Sequence, residues 1–266
     1  MWISQKIKGC WCEQRLPSMV QVPLLRLWRL ISPWQRRYGT EADFWNEHID
    51  RIRHYDQDIL QRIFPLELFD YASDFYAKRG QRPEVLEVGS GPFSLLTAGV
   101  ASGRINLVAV DPLANVYRRI AKRRGWKPLV QPVIGTGEHL DRLFLTGSFD
   151  VVYASNAVDH AGNPRHCLEQ MVRVLRHGGM LMVEGYVREG TVEGWAGLHQ
   201  FDLIPEGREL VCYRKDGSRE ILTEKLGLVC RKSEVKDGNA RRNGTEHLIR
   251  EGWGNWFTMV FEKMEP

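Results

Sequence analysis

The sequence predicts an α/β protein, a doubly wound and mostly parallel sheet behind an N-terminal helical cap. Three observations predict it. From residue 84 onward short apolar runs alternate with helical segments, the pattern of consecutive βα units. The first run, Glu84–Val88, ends in the turn Gly89-Ser90-Gly91 just before a helix, so backbone N–H groups converge where no side chain intrudes. Asp111 closes the second run, twenty residues past Gly91, where an acidic residue suits the hydroxyls of a ribose.

Each element has a local reason. Residues 41–80 read as helices: Thr40 with Asp43 makes a weak capping box, and Phe44, Trp45, His48, Ile49 and Ile52 recur at helical spacing. Pro65 interrupts, and a second helix runs to about Lys78 and stops at Gly80. After the first strand a helix is expected from about Ser94. The run Asn106–Val110 precedes a helix starting at Pro112, a residue suited to a first helical turn. Residues 128–134 and Phe149–Ser155 are the third and fourth strands. Asn163 caps the next helix, Pro164 opens it, and Gly178 is expected just past its end. Gly179–Tyr186 is the fifth strand. Apolar middles in all these runs suit strands covered on both faces. Further on, Glu209–Tyr213 and residues 219–223 flank the Asp216-Gly217 pair, a hairpin signal. Residues 227–235 and 256–262 are two more strand-like runs, joined by a polar loop of about twenty residues.

Composition narrows the function. No apolar stretch in the 266 residues approaches transmembrane length. The five cysteines, Cys10, Cys12, Cys167, Cys212 and Cys230, are odd in number and scattered, which suits a reducing, cytoplasmic setting rather than a disulfide framework. Cys10 and Cys12 lack a second ligand pair, and no metal site is predicted. Net charge is +4, but residues 1–40 alone carry +6 and the rest −2. The main body therefore offers no basic face for nucleic acid. Four of the nine tryptophans (Trp2, Trp11, Trp28 and Trp34) fall in that basic segment. Leu24, Leu27, Trp28 and Ile31 share one helical face there, so residues 20–37 read as a lid over a pocket or as a peripheral membrane contact. The domain division expected is a helical cap over 1–80 and a catalytic domain over 81–266, with a hairpin insertion near 209–223.

On the glycine turn and Asp111 alone, an NAD-binding fold is a fair reading. Two features turn away from it. Ser94 replaces the third glycine of a dinucleotide turn, and the chain ends in two strand-like runs rather than a second βαβαβ half.

Over residues 80–262 the chain resembles the class I S-adenosylmethionine-dependent methyltransferase family. Glu87-x-Gly89-x-Gly91 is similar to its first motif, and Asp111 to its ribose-binding acid. Ser148-Phe149-Asp150-Val151-Val152 resembles the start of its fourth strand, and Val174-Leu175-Arg176-His177-Gly178-Gly179 the turn into its fifth. Phe93 stands where many members have a third glycine, and Gly135-Thr136-Gly137-Glu138 where many read G-D-A-E.

The resemblance implies a Rossmann-like, seven-stranded sheet of order 3-2-1-4-5-7-6 with the last strand antiparallel. It implies S-adenosylmethionine as cofactor, with contacts from Glu87, Gly89, Ser90, Gly91, Asp111, Pro112, Thr136, Gly137, Glu138, Asn156 and Ala157. It also implies methyl transfer to a small molecule, most readily at oxygen. A cofactor-binding regulator without catalysis is the alternative, and the oligomeric state is not readable. For a hydroxyl acceptor a general base helps, and three residues are placed to serve: His160 just beyond the fourth strand, His199 about a dozen residues after the fifth, and Glu184 near the fifth strand's end. Asp159 is in position to orient His160.

Overall fold

The computed structural model describes residues 37–39, 41–47, 65–237 and 254–265. The amphipathic stretch 20–37 (apart from Arg37), Cys10, Cys12, Thr40, His48, Ile49, Ile52 and most of the 238–255 loop lie outside the described residues.

Seven strands form one sheet in the order β3-β2-β1-β4-β5-β10-β9. They are β1 (Glu84–Val88), β2 (Asn106–Asp111), β3 (Val133–Ile134), β4 (Phe149–Ser155), β5 (Leu175–Tyr186), β9 (Leu228–Lys236) and β10 (Trp256–Lys263). The first five run parallel, and β10 is antiparallel to both β5 and β9. This is the order expected by resemblance. The strands β6 (Asp202–Glu206), β7 (Glu209–Tyr213) and β8 (Arg219–Ile221) make a separate antiparallel sheet inserted before β9.

The side-chain period of two sorts the core onto two faces. Leu86 and Val88 of β1, with Val152 and Ala154 of β4, join a cluster that includes Leu203, Leu210 and Cys212 of the small sheet. Val85, Val151 and Tyr153 face the other way, toward Leu68 and Ala72 of α1 (Leu66–Arg79). Helix α1, assigned above to the cap, thus covers one face of the sheet. It ends at Gly80, whose N–H donates to the Tyr76 carbonyl.

Several boundaries differ from the expectation. Helix α2 (Thr97–Ala101) starts three residues after Ser94. The Ser94 hydroxyl accepts the Leu96 N–H, and the Thr97 hydroxyl donates to the Ser94 carbonyl. Such local bonds compete with a helical start. Helix α3 (Ala114–Arg123) begins two residues after Pro112, because Asp111 first folds back onto the Leu113 N–H. Strand β3 keeps only two residues. Pro128 and Pro132 bring no N–H to a ladder.

Helix α4 (Pro164–Val174) has Asn163 as its cap, with the side chain accepting from the His166 N–H. It passes directly into β5, so Gly178 lies within that strand and not at the helix end; a register shift between Phe149 and Val151 absorbs the irregularity. Strand β6 was not anticipated, since Pro205 within it weakens the signal; it tolerates that proline as an edge strand.

Candidate functional site

The site lies at the carboxyl ends of the parallel strands, where open α/β sheets bind ligands. Its first half is the glycine turn. The Gly89 N–H donates to the Val110 carbonyl at 2.8 Å, which pins the turn to the end of β2. Gly89 has φ +71°, and a Cβ there would stand 2.4 Å from the Ala157 Cβ. The β1 turn and the loop after β4 are therefore in contact at two residues that sequence reading assigned to one site. Ser90 is buried, and its hydroxyl donates to the Gly91 carbonyl at 3.2 Å. Phe93, in place of a third glycine, turns its ring onto Trp126, with centroids 4.6 Å apart.

Two buried carboxylates face this turn. Glu87 accepts the Leu95 N–H on Oε1 at 3.1 Å, while its buried Oε2 has no hydrogen-bond partner. Burial pushes Glu87 up to about 8, against hydrogen bonds from Ser94 and Leu95. Asp111 accepts the Leu113 N–H on Oδ1 at 2.7 Å and the Gly91 N–H on Oδ2 at 2.9 Å. Burial likewise raises it, to about 6, with those two bonds opposing and Glu41 adding repulsion. A carboxylate has about four lone-pair positions, so Asp111 braces the turn leading into α3 and retains acceptor capacity.

The helical segment of residues 41–47 lies across this half. Trp45 comes within 3.6 Å of the Cβ position of Gly91 and meets Tyr117 edge-on at 6.3 Å between centroids. The Trp45 indole N–H donates to Glu41 at 2.7 Å, and Arg124 donates to the Asn46 carbonyl at 2.9 Å.

On the far side of the turn, Thr136 is half-buried and heads a 3-10 helix, Gly137–Arg142. Gly137 sits so close to Cys167 that a Cβ would stand 2.3 Å from its sulfur. Glu138 is committed elsewhere: its Oε1 accepts the Gly162 N–H at 2.7 Å and braces the entry to α4. Pro112 lies in the turn leading into α3.

The second half is a polar cluster. The His160 Nε2 and His199 Nδ1 stand 3.0 Å apart, although 39 residues separate them in sequence. Asp159 Oδ2 lies 3.3 Å from His160 and 3.4 Å from His199. Glu189 Oε1 lies 3.5 Å from His199 and accepts the Asn156 Nδ2–H at 3.1 Å. Asn156 has φ +49°, a left-handed conformation that asparagine tolerates better than most residues. Its N–H donates to the Glu184 carbonyl, and its Oδ1 accepts the Tyr186 N–H. A short helix, α5 (Glu189–Val192), carries Glu189, and Asp202 of β6 accepts both the N–H and the hydroxyl of Thr191.

Burial alone would lower His199, but the Asp159 carboxylate outweighs it and holds the imidazole above its ordinary value. Burial would raise Asp159, and the two imidazoles hold it below the usual range instead. Glu189 is pushed well above that range by burial and by Asp159.

Two of the three candidate catalytic residues thus meet. Glu184 does not join them. Its carboxylate accepts the Tyr153 hydroxyl at 2.6 Å and the Ser155 hydroxyl at 3.1 Å inside the sheet. Sequence reading missed Glu189, which follows the fifth strand with no motif around it. It also missed Glu41 and Trp45 as neighbours of the site, their helical spacing being that of an ordinary packed face.

Glu87 gives a pH-dependent expectation. Its folded-state value lies above its ordinary 4.5, so the folded chain holds a proton that the unfolded chain releases. Its contribution to stability is therefore full below about 4.5 and is lost as pH rises through about 8. An ammonium beside Glu87 favours the ionised form and reverses that loss. The rise in melting temperature given by S-adenosylhomocysteine should be larger at pH 8 than at pH 6. Glu87→Gln should flatten the difference; an equal shift at both pH values would remove Glu87 from the cofactor's amino end.

Residues 86–183 match the family model described as "Methyltransferase domain". Among curated proteins there is no match. A chain of the Haloferax volcanii complex containing the Trm112 methyltransferase activator aligns with TM-score 0.52 and 15% identity, over 85% of this chain and 98% of that one. The Burkholderia thailandensis 1,6-didemethyltoxoflavin-N1-methyltransferase, solved with S-adenosylhomocysteine bound, aligns with TM-score 0.47 and 16% identity, over 88% and 91%. At 15% identity the likeness to the Haloferax volcanii chain speaks for the fold alone. Sheet order, glycine turn and the family match over residues 86–183 together support an S-adenosylmethionine-dependent methyltransferase domain in this part of the chain.

Proposed function

We propose that this enzyme methylates an oxygen of a small-molecule acceptor seated against the His160–His199 pair. The observation that carries the reading is that pair, 3.0 Å apart, of which His160 belongs to the loop that also abuts the glycine turn. The cofactor fits the first half. Glu87, with a buried and unpartnered Oε2, would take its amino group. The backbone of Gly89, Ser90 and Gly91 would admit its carboxypropyl end, and Asp111 its ribose hydroxyls. Thr136 and Gly137 would flank the adenine, with Asn156 and Ala157 on the side toward the histidines.

When bound, S-adenosylmethionine supplies a methyl group already activated on a sulfonium, so the protein's task is placement and removal of a proton. The histidine pair takes the acceptor's proton, and Asp159 fixes the orientation of both rings. Residues 41–47 cover the turn and limit access by water. A covered site beside a main body of charge −2 suits a small acceptor better than a nucleic acid.

The test is turnover on a panel of hydroxyl and amine acceptors with labelled cofactor. Transfer to hydroxyls is expected. His160→Gln combined with His199→Gln should lower kcat by about 10²–10⁴-fold while leaving cofactor affinity unchanged. Transfer confined to amines, or undiminished in that double variant, overturns the reading.

A further inference from the structure

We propose that Asp159, His160, Glu189 and His199 form a binding site for a divalent transition-metal cation of the zinc, manganese or iron class. One ligand atom from each lies within 4.8 Å of all the others. The closest contacts measure 3.0 Å between the ring nitrogens, 3.3 and 3.4 Å from them to Asp159, and 3.5 Å from His199 to Glu189. Ligand atoms held at zinc-like bond lengths on a tetrahedron stand about 3.3 Å from one another. Four of the cluster's six edges thus match those of a coordination shell.

Charge points the same way. Asp159 and Glu189 are 4% and 1% exposed, and buried carboxyl groups of this kind are paired or coordinate a cation. Oε2 of Glu189 is buried with no hydrogen-bond partner, so the shell contains a polar atom that the protein leaves unsatisfied. Asn156 donates to the other oxygen of Glu189, and metal-ligating carboxylates are steadied by such outer bonds. Two imidazoles with two carboxylates suit a borderline transition metal better than magnesium or calcium, which prefer all-oxygen shells. Both histidine side chains are 19% exposed, which leaves a face open for the cation to enter. The facing ring nitrogens cannot hold a cation and accept a proton at once, so the cation-bound form is an alternative state of the cluster assigned above to the acceptor. Cation binding itself does not depend on that assignment.

The experiment uses the full chain, stripped with a chelator, dialysed and titrated with Co2+, then with Zn2+ as competitor. One Co2+ per chain is expected, with the visible absorption of a low-coordinate ion, displaced by Zn2+ and not by Mg2+. Glu189→Gln and His199→Gln should each weaken Zn2+ binding at least about tenfold, whereas His166→Gln, on the exposed face of α4, should bind as the parent does. X-ray absorption of the unmutated Zn2+ form should show imidazole nitrogens and carboxylate oxygens, a readout that no folding defect can confuse. No Co2+ uptake by the parent chain, sulfur in the first shell, or unchanged uptake in the His160→Gln/His199→Gln double variant overturns the site. The titration contains neither cofactor nor acceptor. A chain that binds the cation yet transfers no methyl to oxygen defeats the preceding proposal alone, and one that transfers methyl but takes up no cation defeats this one.

Discussion

Gly89→Ala should cost the protein about 2–5 kcal/mol of stability and most of its cofactor binding. Two penalties combine. At φ +71° an L-residue pays about 1–2 kcal/mol for the left-handed conformation. The new methyl would also stand 2.4 Å from the Ala157 Cβ, and overpacking of this kind costs roughly 1–3 kcal/mol. Relief can come only from movement of the loop after β4. That loop carries Asn156 and, through the His160 N–H bonded to the Ala157 carbonyl at 3.2 Å, one of the paired histidines. Binding should therefore suffer along with folding. The double variant Gly89→Ala/Ala157→Gly removes the clash and keeps the backbone strain, so it should recover part of the loss. Denaturant unfolding of the two variants checks this. No recovery in the double variant would mean that the turn is not held against the loop as described.

Asp111→Ala should both lower the melting temperature and reduce S-adenosylmethionine affinity at least about tenfold. This aspartate can act as a ribose acceptor or as a brace of the turn before α3. The carboxylate holds the Leu113 N–H in the turn just before α3 and also the Gly91 N–H. Loss of a backbone bond to this carboxylate costs roughly 1.5–3 kcal/mol, and each charge-assisted bond to a ribose hydroxyl a similar amount. Melting temperature and affinity measured on the one variant separate the two roles. A lowered melting temperature with unchanged affinity would leave Asp111 as a brace of the turn alone. Asp111→Asn sharpens the test, since its amide oxygen can keep the Leu113 bond while its NH2 group opposes the Gly91 N–H.

The sheet was legible because its signals are local. Val85, Leu86 and Val88 before a glycine turn, or Asn163-Pro164 before a helix, need no distant partner to be read. The boundaries that moved did so where side chains bond their own backbone, as at Ser94 and Asp111, or where proline withholds a donor, as around β3 and in β6. The site was legible in its motif half and only partly in its other half. His160 and His199 could each be nominated from their place after a strand. Their contact, and the burial of Glu189 beside them, depend on how the chain after β5 folds back and is anchored by Asp202. No spacing in the sequence encodes that return. Glu184 shows the converse: an acidic residue at the right edge whose carboxylate is bonded within the sheet by Tyr153 and Ser155.

The most direct measurement is a crystal structure of the full chain with S-adenosylhomocysteine. The amino group should meet Glu87, the ribose hydroxyls Asp111, and the sulfur should face the space in front of His160 and His199. A cofactor whose ribose lies away from Asp111, or whose sulfur is screened from both histidines, would contradict the assignment of this sheet edge as the site of methyl transfer.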